Sequence, residues 1–247
     1  MKVFLLIGQS NMSGRGVIGD LPDISTPHVC VFRDHAWEEA HEPVVLDKPA
    51  LAGEGMALAF GNALFMMTGH EIGLIPCSLG GSGLDEWLPG MPLFETAVSQ
   101  TKAALAADTD AELCGILWHQ GENDSRHLDK SLSYLKRLRQ VMGALKCRLA
   151  CDPLLPVLVA ELGDYLDDNA TSLYHRLINR ALHDFAESSP AYCCVEAHDL
   201  EDKGDALHFS AQSQRRLGIR FACAYMDIIA KLNHTESIPL LKNAEYV

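Results

Sequence analysis

At 247 residues the chain is long enough for one large α/β unit with a substantial core, or for two small ones. An apolar fraction of 48% and a charged fraction of 21% are ordinary for a globular protein. The formal charge of −13 argues against a nucleic-acid or anionic-membrane surface, because both need clustered Lys and Arg.

Val3 to Ile7 is an unbroken apolar run closed by Gly8, the pattern of a parallel strand buried on both faces, and Gln9, Ser10, Asn11 and Met12 follow it directly. Leu21 to Pro27 reads as loop, His28 to Phe32 as a second strand, and Asp34 to Ala52 as irregular. Met56, Ala59, Phe60, Ala63, Leu64 and Met67 fall at helical spacing and stop at Gly69. A third strand, Ile72 to Leu79, ends in Gly80-Gly81-Ser82-Gly83. A loop holding Trp87 precedes a helix from about Leu93 to Ala107. Leu113 to Trp118 is a fourth strand, followed by Gln120, Gly121 and Glu122. Leu128 to Leu149 is a long amphipathic helix with Lys and Arg on its outer face. Val157 to Leu162 gives a fifth strand, Leu173 to Phe185 a helix, Tyr192 to Val195 a short extra strand, and Ala211 to Leu232 the last helix.

Strands alternating with helices signal a parallel sheet covered on both faces. The expectation is a three-layer α/β/α, flavodoxin-like fold with a central parallel sheet of about five strands. No linker, repeat or low-complexity block divides the chain, so one domain over 1–232 is expected, with a surface tail over 233–247. No run is long enough to span a bilayer, and the N-terminal apolar run is too short for a signal peptide. Cys30, Cys77, Cys114, Cys147, Cys151, Cys193, Cys194 and Cys223 form no zinc-type pairing and read as buried free thiols. Sequons begin at Asn11, Asn123, Asn169 and Asn233, and two of them overlap the candidate site, where a glycan would block access. Free thiols, and sequons placed where a glycan would block the candidate site, together favour a cytoplasmic, reducing compartment.

Ser10 sits where open α/β sheets place their ligands, at the carboxyl end of the first strand. A serine there is either a helix cap or a nucleophile, and as a nucleophile it needs a base held by a third group. Asp205 and His208, three residues apart before the last helix, have the spacing for that base and its orienter; they are otherwise a solvated loop pair. Backbone N–H groups of Ser10 and Gly81 and the side-chain amide of Gln120 are candidate oxyanion donors, against a plain turn at Gly80 to Gly83. Glu122 has no packing reason to be acidic. It is expected to share the orienting of His208 with Asp205, or else to hold loops in place. Gln9, Arg15 and Trp87 are candidate substrate contacts, with core or loop packing as the alternative.

These blocks occur in one order: Gly8-Gln9-Ser10-Asn11-Met12, Ala57 to Leu64, Gly80-Gly81-Ser82, Trp118 to Asp124, and Asp205 with His208. Together they resemble the sialate O-acetylesterase-like branch of the SGNH hydrolases, which includes carbohydrate esterase family 6. The resemblance spans positions 8 to 208. It implies the flavodoxin-like fold, removal of acetyl groups from sugars without a metal or other cofactor, Ser10 as nucleophile, His208 as base and Asp205 as its orienter. Gln120 stands where the wider superfamily has asparagine, with Asn123 a weaker stand-in. The partner it implies is a small-molecule or oligosaccharide ester. Two other functions stay open: a short-chain lipid or thioester hydrolase on the same scaffold, and a glycan-binding module without catalysis. Oligomeric state has no signature in the sequence.

Overall fold

Seven strands make the sheet at the centre of the computed structural model, which describes residues 1–24 and 27–236. In chain order they are β1 (Lys2–Gly8), β2 (Val29–Arg33), β3 (Ala36–Glu39), β4 (Ile72–Pro76), β5 (Glu112–His119), β6 (Val157–Ala160) and β7 (Tyr192–Val195). Their order across the sheet is β3-β2-β4-β1-β5-β6-β7. Every pairing is parallel except β2 with β3. The chain thus fills one side of β1 with β2, β3 and β4, then crosses to fill the other with β5, β6 and β7. Direction reverses at β1, and the carboxyl end of β1 opens into the crevice that such a reversal creates.

Strand periodicity decides which layer each β1 side chain joins. Val3, Leu5 and Ile7 point to one face, where helices α3 (Pro92–Ala107), α4 (Leu128–Arg148) and α5 (His175–Ala186) bring Phe94, Val98, Leu138, Met142, Leu182 and Phe185. Phe4 and Leu6 point to the other, against α2 (Ala57–Thr68) and α6 (Ala211–Glu236) through Phe60, Leu64, Leu217 and Phe221. With both faces covered, all of Val3 to Ile7 is fully buried, and each such side chain contributes about 1.5–3 kcal/mol.

Two strands exceed the expected five. The short run Tyr192–Val195 is a full member of the sheet, as β7. β3 lies inside the stretch read as irregular, and its hairpin with β2 turns through Asp34 and His35, both left-handed at φ 49° and 65°. Ala36, Glu38 and Glu39 are exposed, so this edge strand has no apolar alternation to announce it. β4 and β6 also end earlier than expected, at Pro76 and Ala160. Helix α6 runs on to Glu236, through the first residues of the expected tail; positions 237–247 lie outside the described residues. All eight cysteines are free thiols, although Cys147 and Cys223 are exposed rather than buried. No described helix is long and apolar enough to cross a membrane.

Candidate active site

β1 stops against β5. Gly8 takes φ +144°, and a Cβ there would lie 2.0 Å from the His119 carbonyl oxygen, so only glycine allows this approach. The Gln9 N–H then bonds that carbonyl, and the chain turns into a one-turn helix α1 (Ser10–Ser13), whose Met12 is fully buried. Ser10 is not the cap of this turn: Gln9 holds that position and no side chain caps it. The Ser10 hydroxyl instead meets His208, Oγ to Nε2 at 3.1 Å.

Across the ring, His208 Nδ1 lies 2.7 Å from Asp205 Oδ2. The other carboxylate oxygen accepts the main-chain N–H groups of Leu207 and His208 at 3.0 and 2.7 Å. Burial pushes the Asp205 carboxyl up, but these bonds outweigh it and hold the group below the usual carboxylate range. An ionised Asp205 on Nδ1 fixes the proton there and leaves Nε2 as the acceptor facing Ser10. Serine, imidazole and carboxylate are therefore assembled in one relay, with the serine from the end of β1 and the other two from the loop before α6.

The relay opens into a cleft of about 730 Å³, within the range of small-molecule sites. Gln9, Arg15, Gly81, Asn123, Arg126 and Lys203 are among its lining. A groove of about 780 Å³ at the opposite, amino ends of the strands, beside Phe4, Ile72 and Tyr225, holds no such serine–histidine–carboxylate arrangement. The main-chain N–H groups of Ser10 and Gly81 donate no hydrogen bond within the described residues. Gly81 owes its placement to a buried ion pair: Arg15 donates to both oxygens of Asp47, and Asp47 accepts the Gly80 N–H at 2.6 Å. The Lys48 ammonium donates to Gly80 O, and the Asn123 amide to Gly81 O.

Three expected site residues stand elsewhere. Gln120 is fully buried, and its amide donates to Asp124 at 2.7 Å, Ser82 O at 3.1 Å and Gln9 Oε1 at 3.3 Å. With those hydrogens committed it does not face the cleft, so it is not an oxyanion donor. Trp87 is also fully buried: its ring packs on Trp118 and its N–H donates to Ser82 Oγ, which removes it from the substrate contacts. Glu122 does not reach His208. Its Oε1 accepts from the Asn11 amide at 2.6 Å, one layer behind the relay, where Glu122 is buried. Arg15 lines the cleft, yet its guanidinium is held by Asp47 and the Gly14 carbonyl. Gln9 does the same with its side-chain oxygen tied to Gln120 and Asn123.

Sequence reasoning missed Asp47, Lys48, Arg126 and Lys203. Asp47 and Lys48 fall in a stretch without periodicity, and Lys203 reads as a loop lysine until its Nζ is seen 3.7 Å from Asp205 and 3.2 Å from the Arg15 carbonyl. Among the described residues no group of three or more His, Cys, Asp or Glu is placed to hold a metal ion.

This arrangement has counterparts. A probable carbohydrate esterase of Arabidopsis thaliana is 32% identical over 91% of this chain and 90% of its own. An Arabidopsis thaliana crystal structure superposes with a TM-score of 0.82, at 28% identity over 92% of this chain and 98% of that one. The crystal structure of NanS gives 0.74 at 18% identity, covering 93% and 97% of the two chains. A carbohydrate acetylesterase from Xanthomonas citri gives 0.70 at 19% identity, covering 93% of this chain and 57% of that one, so these last two share the fold. The model of one family, described as carbohydrate esterase, sialic acid-specific acetylesterase, matches residues 1–227. The chain belongs to that family and is a carboxylic ester hydrolase of the carbohydrate-esterase type.

Proposed function

We propose that this enzyme removes O-acetyl groups from a sugar through an acyl-enzyme on Ser10. The observation that carries the reading is the Ser10–His208–Asp205 relay, at 3.1 and 2.7 Å, at the mouth of an open cleft. Ser10 Oγ attacks the acetyl carbonyl while His208 Nε2 takes its proton, and Asp205 stabilises the imidazolium. The N–H groups of Ser10 and Gly81, with the second amide hydrogen of Asn123, receive the oxyanion. His208 then gives the proton to the sugar oxygen as the C–O bond breaks. Water attacks the acetyl-serine by the same relay in reverse, releasing acetate.

Charge favours an acidic sugar, such as an O-acetylated sialic acid, over neutral acetylated xylan. The chain carries −13 overall, yet Arg15, Lys48, Arg126 and Lys203 line the cleft against the single carboxylate of Asp205. Arg15 is neutralised by Asp47 and Lys203 is beside Asp205, which leaves Lys48 and Arg126 to meet an anion. A positive mouth on a negative protein concentrates negative substrate at the site.

An ester panel tests both parts: O-acetyl sialic acid, acetylated xylo-oligosaccharides, and aryl esters from acetyl to octanoyl. The expected order is acidic acetyl sugar first and octanoyl last, with Ser10→Ala lowering turnover by roughly four to six orders of magnitude. Ser10→Ala activity near wild type would remove Ser10 from the mechanism. Faster cleavage of octanoyl than acetyl esters would instead favour a lipid hydrolase.

A further inference from the structure

Asn11 follows the nucleophile in sequence and is fully buried. Its side chain grips both peptide groups that flank His208. Nδ2 donates to Leu207 O at 3.1 Å, and Oδ1 accepts the Phe209 N–H at 3.1 Å. The same Nδ2 donates to Glu122 Oε1 at 2.6 Å. Glu122 Oε1 accepts this bond as Leu207 O accepts the other, so Glu122 helps decide which end of the amide faces which peptide group; the opposite amide orientation would set oxygen against oxygen at both Glu122 and Leu207. Tyr165 closes the cluster, its hydroxyl 3.4 Å from Asn11 Nδ2 and donating to Leu207 O at 3.2 Å. From the far side, Gln214 of α6 donates to the Asn11 carbonyl at 3.1 Å.

We infer that Asn11, oriented by Glu122, is a positioning residue that sets the Ser10–His208 separation by fastening the loop of the base to the turn of the nucleophile. The inference rests on the relay proposed above. Asp205 and His208 belong to one loop and would move as a pair, so their mutual bond does not hold them against Ser10. Asn11 links the two halves of the relay directly: it follows Ser10 in the chain, and its side chain is hydrogen-bonded to the peptide groups on both sides of His208. Glu122 has a duty here that needs no contact with substrate, and it explains an acidic residue one layer behind the site. Glu122 is itself buried, with Oε1 accepting the short bond from Asn11, while Oε2 has no hydrogen-bond partner among the described residues.

The test uses the full chain in five forms: wild type, Asn11→Ala, Asn11→Asp, Asn11→Asp with Glu122→Gln, and Ser10→Ala. Two readouts separate positioning from folding: kcat against KM for an acetyl ester, and the rate and final stoichiometry with which a fluorophosphonate labels the serine. For Asn11→Ala the expectation is a kcat lowered ~100-fold at nearly unchanged KM, since about 1 Å of misplacement has that effect. Labelling should run slowly to full stoichiometry. Asn11→Asp sets two carboxylates against each other and should lose more; adding Glu122→Gln restores an amide–carboxylate bond with its direction reversed and should recover ~10-fold of that loss. Should Asn11→Ala not fold, the Asn11→Asp pair carries the same comparison. Wild-type labelling rates in the Asn11 variants, or a lowered stoichiometry at wild-type rate, would overturn the inference, and so would a double variant no better than Asn11→Asp. Labelling and activity retained by Ser10→Ala would overturn the relay itself, a result distinct from any of these.

Discussion

Among single residues, Gln120 shows how far chemistry depends on where an amide points. Its two hydrogens serve Asp124, Ser82 O and Gln9, its oxygen accepts from Tyr134 at 2.9 Å, and Asp124 in turn holds Arg137 at 2.8 Å. Removing the amide strands several buried polar atoms, each at roughly 1–3 kcal/mol. Gln120→Ala is expected to lower unfolding free energy by about 3 kcal/mol in a urea titration. A kcat loss of ~100-fold or more at an unchanged urea midpoint would return Gln120 to the oxyanion hole. Ser10, Asp205 and His208 were legible because each lies in a short motif at a predicted strand end or before a predicted helix. Asn11 stood in the same motif, but its role was not legible: its partners Leu207 and Phe209 lie 196 and 198 residues away. Only the folded chain tells that amide from a surface one, and the same is true of Asp47 under Gly80.

The elements follow their apolar periods closely where both faces or one full stripe are buried, and poorly at the edges. β1, β5 and α6 were readable because Val3–Ile7, Ile116–Trp118 and the Leu217-Phe221-Ile228 stripe leave no polar alternative. β3 was not, because an edge strand with one neighbour and exposed glutamates needs no apolar pattern to pair. The same contrast predicts energies. Leu217 of α6 is fully buried between α2 and the sheet, whereas Leu132 of α4 is 68% exposed. Leu217→Ala should cost about 2–5 kcal/mol through lost burial and the cavity left behind, and Leu132→Ala less than about 0.5 kcal/mol. Equal costs in a denaturant series would contradict the packing of α6 on α2.

At the scale of the whole molecule, a net charge of −13 gathers carboxylates in a chain that also buries several, and stability must then depend on pH in ways a few groups dominate. Glu42 is the clearest. Burial raises its carboxyl to about 8, with the neighbouring Glu54 adding to the rise and Arg215 and the N–H groups of Val44 and Gly55 opposing it. Gly55 packs against Gly14, the residue that ends α1, so this carboxyl ties a long loop to the turn that carries Ser10. A group whose folded value lies above its unfolded one favours the folded state while protonated. Its contribution is complete below about pH 4.5 and is lost as pH rises toward about 8. At about 1.4 kcal/mol per pH decade the loss has a ceiling of about 5 kcal/mol, which water reaching the site reduces. Glutamine keeps the oxygen that accepts from Val44 and Gly55 and removes the ionisation. Glu42→Gln is therefore expected to match wild type near pH 4.5 and to exceed it by about 2 kcal/mol at pH 8, with the gap opening between those values in urea titrations. If the two unfolding curves run parallel from pH 4.5 to 8, Glu42 ionises freely in the folded protein and the pH dependence belongs to other groups.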